Sequence, residues 1–121
     1  MSTPAGVPSI DVRGAASAAE DADRALIVDV REPNEFAATR IAGVALLPIS
    51  VLPQRHSELP KDRPLLMICR SGARSAAATS FLIQNGWPDV RNVEGGMIAW
   101  QAAGLPVLSG VPDPGEGDLP A

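Results

Sequence analysis

The sequence predicts an α/β fold, a parallel sheet of about five short strands with helices on both faces. Three observations carry this. Two runs, Ala25-Leu26-Ile27-Val28-Asp29-Val30 and Leu65-Leu66-Met67-Ile68-Cys69, are apolar almost without interruption and fit strands covered on both sides better than half-exposed ones. Alanine-rich stretches with helix start and stop signals lie between such runs. Aromatics are few (two Trp, two Phe, no Tyr), so the core is built mainly from Val, Leu, Ile and Ala. A chain of 121 residues makes one domain.

The elements follow in order. Residues 1–8 read as a loose lead-in, and Ser9-Ile10-Asp11-Val12 as a short first strand. Arg13 to Asp23, alanine and acid, reads as a surface helix. After the strand over residues 25–30, Pro33 sits where a helix starts without needing an N–H. Ala42 to Leu47 is another apolar piece, stopped by Pro48. Ser50 can cap a helix towards Glu58, which Pro53 restricts or kinks. The central strand over 65–69 leads into a helix over Ser75–Asn85, which Asn85-Gly86 stops. Val90–Val93 is the last strand, Glu94-Gly95-Gly96 a glycine turn, and Met97–Ala103 a short helix closed by Gly104. The domain therefore spans 9–108. Residues 109–121, rich in Gly, Pro and acid, read as a disordered tail.

Bulk properties exclude several functions. A formal net charge of −4 and the scarcity of aromatics argue against a nucleic-acid binder. No apolar run has the length of a membrane span, and the N-terminus lacks the basic start and apolar centre of a signal peptide. One cysteine rules out an internal disulfide and one histidine leaves no metal-ligand cluster. Both fit a reducing compartment, so a soluble cytoplasmic protein is expected. His56, among acids and prolines, is expected to be exposed, and Met97 and Trp100 to be core.

The chemistry concentrates in Cys69-Arg70-Ser71-Gly72-Ala73-Arg74-Ser75. A buried strand ends on the thiol, a tight loop follows, and a helix starts behind it. Backbone N–H groups of such a loop point inward and the helix dipole favours negative charge there. The same features favour a thiolate. A lone cysteine ending a strand is also a common small core residue, but an inert position needs neither Gly72, the two arginines nor the two serines. In α/β sheets ligands bind outside the carboxyl ends of strands, where Cys69 and the segment Asp29-Val30-Arg31 both fall.

Read together, several segments spell a family. Asp29-Val30-Arg31-Glu32 with Glu35-Phe36, Arg40-Ile41-Ala42-Gly43-Val44, the loop Cys69–Ser75, Val93-Glu94-Gly95-Gly96-Met97-Ile98-Ala99-Trp100 and Gly104-Leu105-Pro106-Val107 resemble, in order, the rhodanese homology domain over roughly residues 8–108. Arg40 departs from that pattern, which usually has histidine there, and Ala45 stands one place later than the family's alanine.

The resemblance implies a sulfurtransferase that needs no cofactor. Thiosulfate or a similar donor loads Cys69 as a persulfide, and cyanide or a thiol takes the sulfur away. Gly72 lets successive N–H groups converge on the outer sulfur. Ser71 and Ser75 add hydroxyl donors, and the loop N–H groups through Ala73 complete an anion hole. Each well-placed donor is worth about 2.7–4 kcal/mol in other enzymes. Arg74 and Arg70 are expected to hold the donor's sulfonate. Asp29 and Arg31 either support the loop or form a structural ion pair with Glu32 or Glu35.

Two rivals stand beside this reading. Cysteine phosphatases, some with this fold, carry Cys-x5-Arg, whereas Cys69 to Arg74 is Cys-x4-Arg, a smaller loop suited to a single sulfur atom. The other rival is a binding module or sulfur-relay domain that docks a partner protein. Sulfide handling or arsenate reduction would use the same thiol.

Overall fold

The computed structural model describes residue 4 and residues 6–21 and 24–120. The sheet is assembled from strands β1 (Ser9–Ile10), β2 (Leu26–Asp29), β3 (Ala45–Leu46), β4 (Leu65–Ile68) and β5 (Val90–Val93), all parallel, in the order β1-β5-β4-β2-β3. Helices α1 (Val12–Glu20), α2 (Pro33–Ala38), α3 (Leu52–Arg55), α4 (Ala73–Gln84) and α5 (Gly96–Ala102) connect them, with a 3-10 turn over His56–Glu58. The α/β architecture read from the sequence is therefore observed, with shorter strands.

The alternation of side chains along each strand divides the interior into two cores. Leu26, Val28, Leu65, Met67, Cys69 and Val90 point to one face, where Leu52 of α3 and Ala78 and Leu82 of α4 cover them. Ile27, Leu66, Ile68 and Val93 point to the other, beneath Val12 and Ala15 of α1, Phe36 of α2 and Met97 and Trp100 of α5. Because both faces are covered, β4 has no polar side, and each of its four residues is at most 1% exposed. Each such side chain contributes roughly 1.5–3 kcal/mol on burial.

Local signals set the boundaries. Asp11 ends β1 and caps α1, its carboxylate accepting from Gly14 N at 2.7 Å, so the first strand stops two residues before the expected Val12. Helix α1 closes at Glu20; Ala22 and Asp23, where the expected helix ended, lie outside the described residues. Pro33 occupies the first turn of α2 as expected. Gly86, at φ +97°, follows α4.

Two expectations are corrected. His56 is half-buried, its ring edge-on to Phe81 at 5.1 Å and to Trp87 at 5.4 Å. Residues 109–120 are not a disordered tail but a strap across the β3 side of the molecule. Arg40 and Leu108 exchange backbone hydrogen bonds of 2.9 and 2.7 Å, and Leu46 N donates to Gly117 O at 2.8 Å. The buried Arg40 guanidinium pairs with Glu116 and donates to Gly110 O at 2.6 Å. Leu119 packs on the core. The strap's composition lacks apolar mass, yet Glu116, Gly117 and Leu119 each meet a specific group on the body. Arg40, where the resemblance would put histidine, has the reach to hold Glu116.

Candidate active site

In register, Asp29 at the end of β2 lies opposite Ile68 at the end of β4, so the chain leaves both strands at one level of the sheet. Cys69 is the next residue, 1% exposed, at the mouth of the loop that leads into α4. Three donors surround its Sγ: Gly72 N at 3.1 Å, Ser75 N at 3.4 Å and Ser75 Oγ at 3.2 Å. Burial opposes ionisation of the thiol. The Ser75 hydroxyl and the N–H groups of Ser75, Gly72 and Ser71 outweigh it and hold the Cys69 pKa below the usual thiol value.

Gly72 makes this convergence possible. It caps α4 at φ +104°, a conformation open to glycine and strained for other residues. Ala73 and Arg74 begin the helix, and among the described residues their N–H groups find no backbone acceptor. Ser75 is fully buried one turn into the helix, and its own carbonyl accepts from Thr79 Oγ1 at 2.8 Å.

The loop's carbonyls are held on the outside. Met97 N donates to Cys69 O at 2.9 Å and Ile98 N to Arg70 O at 3.1 Å. Gly72 O accepts from Ala76 N at 3.1 Å and from the Asn92 amide at 3.2 Å. The start of α5 can come this close because residue 96 is glycine. A Cβ there would lie 2.3 Å from Cys69 O and 2.6 Å from Arg70 O.

The charged residues divide into paired and open ones. Arg74 does not point a free guanidinium into the loop. It closes on Glu35 of α2 as a forked pair, Nη1 to Oε1 at 2.7 Å and Nη2 to Oε2 at 2.9 Å. The Arg74 hydrogen bonds hold the Glu35 carboxyl at about 2, against burial. Asp29 and Arg31, both buried, pair with each other rather than with Glu32 or Glu35 carboxylates. Arg31 Nη2 reaches Asp29 Oδ2 at 2.8 Å and Thr39 O at 2.6 Å, tying the end of β2 to α2. Arg70 is exposed, has no ion-pair partner among the described residues, and lines a groove of about 280 Å³ with Ala38, Thr39, Met97, Ile98 and Gln101. Ser71 is half-buried beside it.

Sequence reasoning thus assembled Cys69, Gly72 and Ser75 but missed Asn92 and the partners of the arginines. Asn92 left a signal, an amide inside an otherwise strand-like run. Glu35 left none that spacing alone could read, since its partner lies 39 residues away. Among the described residues no cluster of His, Cys, Asp and Glu could hold a metal ion, and no helix is long and apolar enough to cross a membrane.

Comparison with known proteins gives the chain its relatives. Residues 11–103 match the model of the rhodanese-like domain. The chain is 42% identical over 103 residues to a sulfurtransferase of Allochromatium vinosum, covering 85% of this chain and 96% of that one. It is 34% identical over 83 residues to a thiosulfate sulfurtransferase of Pseudoalteromonas translucida, covering 69% and 79%. A rhodanese-related protein from Thermoplasma volcanium superposes with a TM-score of 0.77 at 36% identity, over 84% of this chain and 97% of that one.

Proposed function

The chain belongs to the rhodanese-like domain family, and on that footing we propose that Cys69 carries sulfane sulfur as a persulfide, from thiosulfate or a similar donor to a thiol or cyanide. One observation carries the reading: a buried sulfur ringed by the Gly72 and Ser75 N–H groups and the Ser75 hydroxyl. An apolar structural cysteine has no use for three such donors.

The Cys69 thiolate attacks the outer sulfur of thiosulfate. A new S–S bond forms at Sγ, the donor's own S–S bond breaks, and its electron pair leaves with sulfite. The persulfide's charge rests on the outer sulfur, against the free N–H groups at the start of α4, a preorganised anion site. An acceptor thiolate or cyanide then attacks that outer sulfur, becoming a persulfide or thiocyanate and returning Cys69 as thiolate. Activation comes from backbone and hydroxyl donors, with no histidine base.

Arg70 is the loop cation open to solvent and is the group best placed to meet the donor's anionic end. With Arg74 engaged by Glu35, the two arginines divide the work, Arg70 towards the ligand and Arg74 towards the frame. The single cysteine suits a reducing, cytoplasmic setting.

Intact mass measured after incubation with thiosulfate, and again after cyanide, tests the reading. The expected result is a gain of one sulfur atom that cyanide removes and that Cys69→Ser never shows. No gain on a protein whose Cys69 is reduced and alkylatable would overturn it in favour of a docking module.

A further inference from the structure

A loop that turns its N–H groups inward must satisfy its carbonyls elsewhere. Here Cys69 O and Arg70 O are held by backbone donors of α5, but Gly72 O receives a side chain, the amide of Asn92, at 3.2 Å. Asn92 is fully buried in β5, in register with Met67, and shares a face with Val90 beneath the catalytic loop. Asparagine is a poor strand residue, and burying its polar group is unfavourable without hydrogen bonds.

We propose that Asn92 is a positioning residue for the sulfur chemistry: its buried amide pins the Gly72 carbonyl to the outside of the loop and so keeps the loop's N–H groups turned onto Cys69. Gly72 can populate both signs of φ, so its conformation of φ +104° and ψ −7° is selected by surroundings rather than by its own side chain. The Ala76 N–H and the Asn92 amide grip the carbonyl together, which fixes the peptide that joins Gly72 to the helix. Without the amide this peptide is free to rock. The Ala73 N–H, on that same peptide, then loses its fixed aim. Through the permissive backbone of Gly72 the motion also loosens the preceding peptide, whose Gly72 N–H lies 3.1 Å from Sγ, and carbonyl dipoles that repel a negative sulfur come closer to it.

The inference rests on the sulfur-carrier reading of Cys69, but its test does not require sulfur transfer. The rate of Cys69 alkylation by iodoacetamide is measured against pH for the full chain, Asn92→Leu and Asn92→Ser. Leucine matches the shape without the donor, and serine, too short to reach Gly72, gives the same reading should leucine disturb packing. Val90→Ala, on the same strand and face, controls for general loss of stability. The charged groups at the end of β2 (Asp29, Arg31), on α2 (Glu35), in the loop (Arg70, Arg74) and after β5 (Glu94) are unchanged in all of these. Helix α5 carries no charged residue.

The expected result is a thiol that titrates about one pH unit higher in the Asn92 variants, with roughly tenfold slower alkylation at neutral pH and the same limiting rate at high pH. Val90→Ala should lower Tm without moving the titration. A folded Asn92 variant that titrates with the parent, or an equal shift in Val90→Ala, would overturn the inference. A parent protein that fails to load sulfur would sink the sulfurtransferase reading alone. Loading with unshifted Asn92 variants would sink this one alone.

Discussion

Helices α4 and α5 both start behind a glycine in the left-handed region, Gly72 at φ +104° and Gly95 at φ +75°, and neither has a side-chain cap. Their first N–H groups nevertheless go to different ends. Those of α4 and its approach face Cys69 Sγ, whereas those of α5 go to the carbonyls of Cys69 and Arg70. One helix start forms the inner, electropositive wall of the loop and the other braces it from outside. An anion site at a helix start therefore depends on a second element that engages the carbonyls, since every peptide that turns its N–H inward turns a C=O away.

Breaking the brace should have the larger effect. Gly96→Ala puts a Cβ into the backbone of Cys69 and Arg70 at φ +56°, with no flexible side chain to give way. We expect a loss of about 2–4 kcal/mol by denaturant unfolding, from strain and overpacking together, and loss of sulfur loading in whatever remains folded. Loading at the parent level would mean that α5 does not govern the loop.

The inner wall is probed with less damage. Ser75→Ala removes the hydroxyl 3.2 Å from Sγ and leaves the Ser75 N–H in place. A hydrogen bond to a charged group is worth about 1.5–3 kcal/mol, so the thiol should titrate at least about one unit higher, with little change in Tm. Alkylation against pH reads this directly, and an unmoved profile would remove Ser75 from the set of stabilising donors.

The smallest effect concerns the frame at the side. Glu35 is held at about 2 in the folded chain, against 4.5 ordinarily, by its hydrogen bonds to Arg74. A lowered carboxyl pKa contributes stability that is fully present above about 4.5 and disappears as pH falls through about 2. The pair is a quarter to a third exposed, so solvent screens it and the contribution is modest. Thermal melts from neutral pH down to pH 2 should therefore fall less steeply for Glu35→Gln than for the parent. Parallel curves would show that the Arg74–Glu35 pair contributes nothing to stability.

What the sequence disclosed follows from the range of the interactions. The buried strands were legible because a strand covered on both faces is apolar at each position, as in Leu65–Ile68. Cys69, Gly72 and Ser75 were legible because their relation is local, within one loop and one helical turn. The pairing of Arg74 is not legible locally, because its acid lies 39 residues earlier and is folded against it by α2. The composition of residues 109–121 reads as a loose tail because composition averages over a segment, while Glu116, Gly117 and Leu119 bind through specific contacts to Arg40, Leu46 and the core.

That strap bears on how another macromolecule could approach. Strand β3 is the outermost strand on its side of the sheet, and an outer strand with free amides is a ready template for a visiting chain. Gly117 accepts the Leu46 N–H, so the molecule has supplied its own visitor. On this side the molecule closes its own edge to strand addition by a visiting chain.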